Sequence, residues 1–184
     1  MYKKLIAALL ATTVSSVAMA SELEAEALGL VKQFGSTLKG QLVSAMKEGG
    51  PVKAIEFCNL RAPGIAADIA AASGWEVGRT SLKIRSEDNA PDSWELKVLQ
   101  EFEAKKSTGT APAMLEYSEV VEVDGKKNFR YMKAIPTEKA CLNCHAATIA
   151  PDVEAKLHEL YPSDNARGFN EGDIRGAFTL TKPL

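Results

Sequence analysis

The chain has 184 residues and a formal net charge of −2, with charges of both signs interspersed along it. That balance leaves no electrostatic footprint for nucleic acid or an anionic membrane surface, and the length suits one domain that buries its own core without disulfide staples. Aromatic residues make up only 7%, so a large bound apolar group would supply part of the missing core bulk.

The amino terminus has the anatomy of a secretory leader: Tyr2-Lys3-Lys4 is basic, Leu5 to Val17 is mostly apolar, and Ala18-Met19-Ala20 is a small-x-small cleavage site. Cleavage after Ala20 is expected, which leaves a single domain over 21–184 and no membrane-spanning segment. The mature protein is therefore expected in the periplasm.

From 22 to 46, Leu23, Ala27, Leu30, Val31, Phe34, Leu38, Leu42 and Met46 recur at helical spacing, with Lys32, Lys39 and Lys47 largely on the other side. This predicts a long amphipathic helix, a candidate surface for a partner protein or a homodimer. Gly49-Gly50-Pro51 ends it, and Pro51 suits the first turn of a second helix carrying Val52, Ile55 and Cys58. Pro63 is expected to interrupt that helix, and a third helical run follows from 63 to 73 and stops at Gly74.

Segments 75–79 and 82–85 read as short strands. Asn89-Ala90-Pro91-Asp92 is a turn, and Asp92 or Ser93 caps a helix over 94–105. The clearest strands are 117–123 and 128–135, joined at Asp124-Gly125, a hairpin signal. A short helix over 152–160, a polar Gly/Asn-rich loop over 164–173 and a last strand over 175–181 complete the chain. Helices first, then strands mixed with helices, predict an α+β fold with an antiparallel sheet.

Between the second long strand and the short helix stands Cys141-Leu142-Asn143-Cys144-His145, the C-x-x-C-H pattern of a covalently attached c-type haem. Two thiols three positions apart each add to one porphyrin vinyl group, and the adjoining imidazole binds the iron as proximal ligand. One haem c held by Cys141 and Cys144 is thus the expected cofactor, with His145 on its iron. A zinc site would need four ligands, and only Cys58 and His158 remain to complete one. A thioredoxin-like dithiol would open a helix inside a βαβ unit, which the antiparallel pattern does not supply.

Cys58 is left as a lone thiol in an oxidising compartment. It is either a small buried hydrophobe or a thiolate on the iron from the face opposite His145. His158, Met46, Met114 and Met132 are the other side chains able to take that position. Arg79, Arg85 and Arg175 are expected as exposed cations, and each is also a candidate partner for haem propionates through guanidinium–carboxylate pairing, with Thr80 and Ser81 as further donors. No Ser/His/Asp arrangement or phosphate loop marks the chain as an enzyme.

Several runs together resemble the Tll0287-like haem-domain family: Arg79 through Arg85, Asn89 through Glu95, Ala54 through Cys58, Pro136 through His145, and Gly172 through Ala177. The resemblance implies a PAS-like α+β domain with a long N-terminal helix and a covalent c-type haem. It also implies axial ligation by the motif histidine and a cysteine of the N-terminal helical region, here His145 and Cys58, and a role in sensing redox state or a diatomic gas. The alternative role is a soluble electron carrier with a redox partner protein.

Overall fold

Residues 22–73 carry apolar side chains at helical spacing with one interruption, and the backbone follows suit. In the computed structural model, which describes residues 2–184 and their side chains from Met19 onward, helix α1 spans Tyr2–Ser73 and leaves helical geometry only at Gly49 (φ −157°, ψ 23°) and Gly50 (φ 69°, ψ −162°). The expected leader over 1–20 lies, but for Met19 and Ala20, outside the residues described in side-chain detail. The positive φ at Gly50 is open to glycine at little cost, and it folds α1 back on itself as a two-armed hairpin. Phe34 of the first arm packs on Ile65 and Ile69 of the second.

Pro63 does not interrupt the second arm as expected. It sits inside α1, next to buried Ala62 and two residues before Ile65. Burial of this face against the first arm outweighs a local penalty of roughly 3 kcal/mol for an interior proline.

Four strands form one antiparallel sheet: β1 (Glu76–Thr80), β2 (Glu116–Val123), β3 (Lys126–Pro136) and β4 (Ile174–Pro183), in the order β1-β4-β3-β2. Asp124 and Gly125 both have positive φ (51° and 73°), the geometry whose twist matches a two-residue hairpin. The α1 arms cover one face, where Ala27 and Val31 meet Trp75, Phe129, Tyr131 and Leu180. Helix α2 (Ser93–Ser107) covers the other with Val98, Leu99 and Phe102 on Met132, Ala134 and Ala177. Its start is fixed by a reciprocal cap: Asp92 accepts from the backbone N–H groups of Trp94 and Glu95, and Glu95 accepts from Asp92 N–H.

The α+β expectation is met, and among the described residues no helix is long and apolar enough to cross a membrane. The strand expected over 82–85 is absent. Ser81 is the cause: its hydroxyl donates to the Arg175 carbonyl (2.8 Å) and accepts from the Lys83 N–H (3.2 Å), a local turn that competes with a ladder. The same crowding fixes Gly176, where a Cβ would run into the Thr80 carbonyl oxygen and φ is 156°. Gly176→Ala is expected to lower stability by about 2–3 kcal/mol, read from chemical denaturation.

Candidate functional site

The C-x-x-C-H run leaves the end of β3 through Thr137, whose N–H donates to the Asp173 carbonyl (2.7 Å) and whose carbonyl accepts from Gly172 N–H (2.9 Å). That pair ties the run to the start of β4. Cys141 ends a 3-10 turn, and helix α3 (Leu142–His145) carries Cys144 one turn later on the same side. Both thiols are half-buried. The Glu138 N–H donates to Cys141 Sγ, and Cys144 packs on Ile55 of α1 and on Val153 and Leu157 of helix α4 (Pro151–Leu160). Burial pushes the Cys144 thiol up, and the Arg85 charge works against it.

His145 is the best-defined group of the site. Its Nδ1 lies 2.8 Å from the Ala166 carbonyl oxygen, which can only accept, so Nδ1 carries the proton and Nε2 keeps its lone pair. Arg175 Nε donates to that lone pair at 3.3 Å. Arg85 Nη2, 3.3 Å from Nδ1, then faces a donor, and its hydrogen bond is the one to the Cys144 carbonyl at 2.7 Å. Phe169 meets the imidazole edge-on at 6.0 Å, and its N–H donates to the His145 carbonyl. Burial, then the charges of Arg175 and Arg85, push the His145 pKa down to about 2, so the ring is neutral.

The three arginines are not the exposed cations expected from sequence. Arg175 reaches Ser81 Oγ (3.2 Å) as well as His145, and burial with the Arg85 and Arg79 charges pushes its pKa down to about 10. Arg79 stacks over the Phe34 ring at 5.7 Å, and burial lowers its pKa too. Arg85 is 13% exposed and pairs with Asp164 (3.2 Å), itself 5% exposed and paired also with Arg167 (2.8 Å). Burial tends to raise the Asp164 pKa, but hydrogen bonds from Arg167 and Arg85 prevail and hold it below the usual carboxylate range. Thr80 and Ser81 spend their hydroxyls on backbone carbonyls.

Cys58 lies one helical turn beyond Ile55 on the second arm of α1, within the fields of Arg79, Arg85 and Tyr161. Burial pushes its thiol up, and the two guanidiniums pull it back. The second arm thereby brings Cys58 to the Cys144 side of the site. Three of the four rivals stand elsewhere: Met132 is core filling under α2, Met114 is 73% exposed, and His158 is on the solvent side of α4, while Met46 is half-buried near the end of the first arm of α1. Sequence reading missed Asp164, Ala166 and Phe169, which it left inside a polar loop. The Asp-Asn-Ala-Arg-Gly-Phe run over 164–169 places an acid three residues from an arginine, the one local hint of a structured turn.

Among the described residues no three His, Cys, Asp or Glu side chains gather around one point. A metal bound by His145 would have to bring most of its own ligands. The chemistry on offer is a neutral imidazole with a directed lone pair, two thiols beside it, and three guanidiniums to receive anions.

A sequence model of the Tll0287-like family (Tll0287) matches residues 5–183. The crystal structure of the cyanobacterial haem protein Tll0287 is similar over 86% of this chain and 96% of that one, with a TM-score of 0.64 and 28% identity. No curated protein matches the chain.

Proposed function

The chain belongs to the Tll0287-like family, and on that premise we propose that it is an exported, periplasmic monohaem protein with a haem c joined to Cys141 and Cys144. In this reading His145 and Cys58 are the axial ligands, and the protein senses redox state or a diatomic gas. Haem binding is extended to this chain from the likeness to a haem protein. The observation that carries the reading is the His145 ring: its proton is committed to Ala166, so a lone pair is presented from Nε2 beside two half-buried thiols. A metal-bound histidine is ordinarily oriented in this way, by a carbonyl on its other nitrogen.

When bound, the haem supplies a one-electron iron centre that also takes small diatomic ligands. The residues of the chain do the rest. Ala166 fixes the imidazole tautomer and Phe169 fixes its plane. Arg175, which donates to Nε2, is the side chain that gives way when another partner takes the lone pair. Arg79, Arg85 and Arg175 bring three guanidiniums to a site where Asp164 answers with one carboxylate, so the cluster favours anions such as propionates, and Arg79 and Arg85 pull Cys58 toward its thiolate against the burial that raises its pKa.

Expression with an export signal and c-type maturation machinery tests the core of the proposal. The expected product is red, starts at Ser21 and weighs one haem more than its polypeptide; a colourless product of bare polypeptide mass overturns it. Cys58→Ser is expected to replace the ferric low-spin EPR signal of a thiolate ligand, whereas an unchanged signal removes Cys58 from the iron. Carbon monoxide added to the reduced protein separates the roles: binding is expected of a sensor, and refusal favours the electron carrier.

A further inference from the structure

A cavity of about 210 Å³ lies between α2 and the start of β4 and is lined in part by Phe169, the ring that meets His145. Its floor is apolar, made by Leu99, Ile174 and the Phe169 ring. Two opposite charges line it without reaching each other. Lys83 Nζ is held over Phe169 at 5.1 Å and donates to the Arg167 carbonyl (3.1 Å), yet no carboxylate pairs with it among the described residues. Glu103 looks in from α2 and makes no hydrogen bond or ion pair there. The neighbouring Lys106 and Asp173 do pair, and so cancel each other.

A cation bonded to a backbone carbonyl but to no carboxylate, and a carboxylate with no cation, both line this space among the described residues, and together they complement a ligand that carries both charges. From this we propose that the cavity binds a small apolar α-amino acid, its carboxylate on Lys83, its ammonium on Glu103 and its side chain on Leu99 and Ile174. A simple carboxylate would leave Glu103 unanswered, and a simple amine would leave Lys83 so. The cavity is lined by none of the residues proposed to ligate or tether the haem, but it shares Phe169 with His145. Occupancy therefore bears on the ring that touches the imidazole edge.

Titration calorimetry of the full protein with L-leucine, L-valine and L-methionine tests the assignment, with N-acetyl-L-leucine and L-leucine amide as singly charged controls. At least one of the three amino acids is expected to bind at millimolar concentration or below, and both controls are expected to bind roughly tenfold or more weakly than leucine. Lys83→Met should bring leucine down to the level of its amide, and Glu103→Gln should bring it down to the level of its N-acetyl form. Silence from all three amino acids overturns the proposal, as does equal binding of leucine and either control, or unchanged affinity in Glu103→Gln. Each of these outcomes is read from the heat of amino-acid binding, so it is distinguishable from the question of whether Cys141 and Cys144 carry haem.

Discussion

Asp164→Asn is expected to destabilise the protein by about 3–5 kcal/mol, because it strips the counter-charge from guanidiniums that cannot reach water freely. The carboxylate is 5% exposed, and Arg85, its partner at 3.2 Å, is 13% exposed. It also receives Arg167 Nε at 2.8 Å and the Ala166 N–H at 2.9 Å. An asparagine oxygen in place of Oδ1 still accepts from Arg85 and Ala166, but without the charge, and its amide presents hydrogens to Arg167 where Oδ2 had accepted. The fault then spreads to the site, since Ala166 fixes the His145 tautomer and Arg85 holds the Cys144 carbonyl.

The same carboxylate makes the effect depend on pH. Its folded pKa lies below the ordinary value, so its stabilisation is fully present above about pH 4 and is lost as pH falls through the folded pKa. Asparagine does not titrate. The stability gap between the two proteins, from urea melts at a series of pH values, is therefore expected to be constant near neutrality and to close in acid. A gap below about 1 kcal/mol at pH 7 would mean that the Asp164 pairs are worth no more than surface ones.

How much of this was legible in the sequence depends on the range of the forces involved. The hairpin at Asp124-Gly125, the break at Gly49-Gly50 and the cap at Asp92 were readable because backbone geometry or a side chain three residues away decides each of them. Pro63 misled for the opposite reason, since its cost is local and the packing of Ile65 and Ile69 on Phe34 that outweighs it joins distant residues. The 82–85 segment looks strand-like, but Ser81 draws its backbone into a turn together with Arg175, 94 residues away. At the site, Cys141, Cys144 and His145 were legible as a contiguous motif. The interior position of Arg79, Arg85 and Arg175 was not, because a guanidinium reads as a surface group until Asp164, Phe34 and His145 are brought against it.

In the proposed haem site, attachment and ligation fall on different residues of the motif, and the second large effect follows from that. Cys141→Ser with Cys144→Ser is expected to abolish every haem that survives a denaturing gel, because no thiol then remains in the motif to carry a thioether. Folding should persist: Cys144 is half-buried against Ile55, Val153 and Leu157, and trading one small buried side chain there costs about 1 kcal/mol, which circular dichroism and melting can verify. His145→Ala should do the reverse. Both thiols remain, so the gel band keeps its haem stain and its mass, while the absorption spectrum reports the loss of the imidazole. Haem retained through the gel by the double serine variant would refute thioether attachment, and a His145→Ala spectrum identical to the parent's would take His145 off the iron while leaving attachment intact. The Nδ1 proton held by Ala166 gives the reason to expect a change, since it leaves Nε2 as the lone pair that the alanine variant removes.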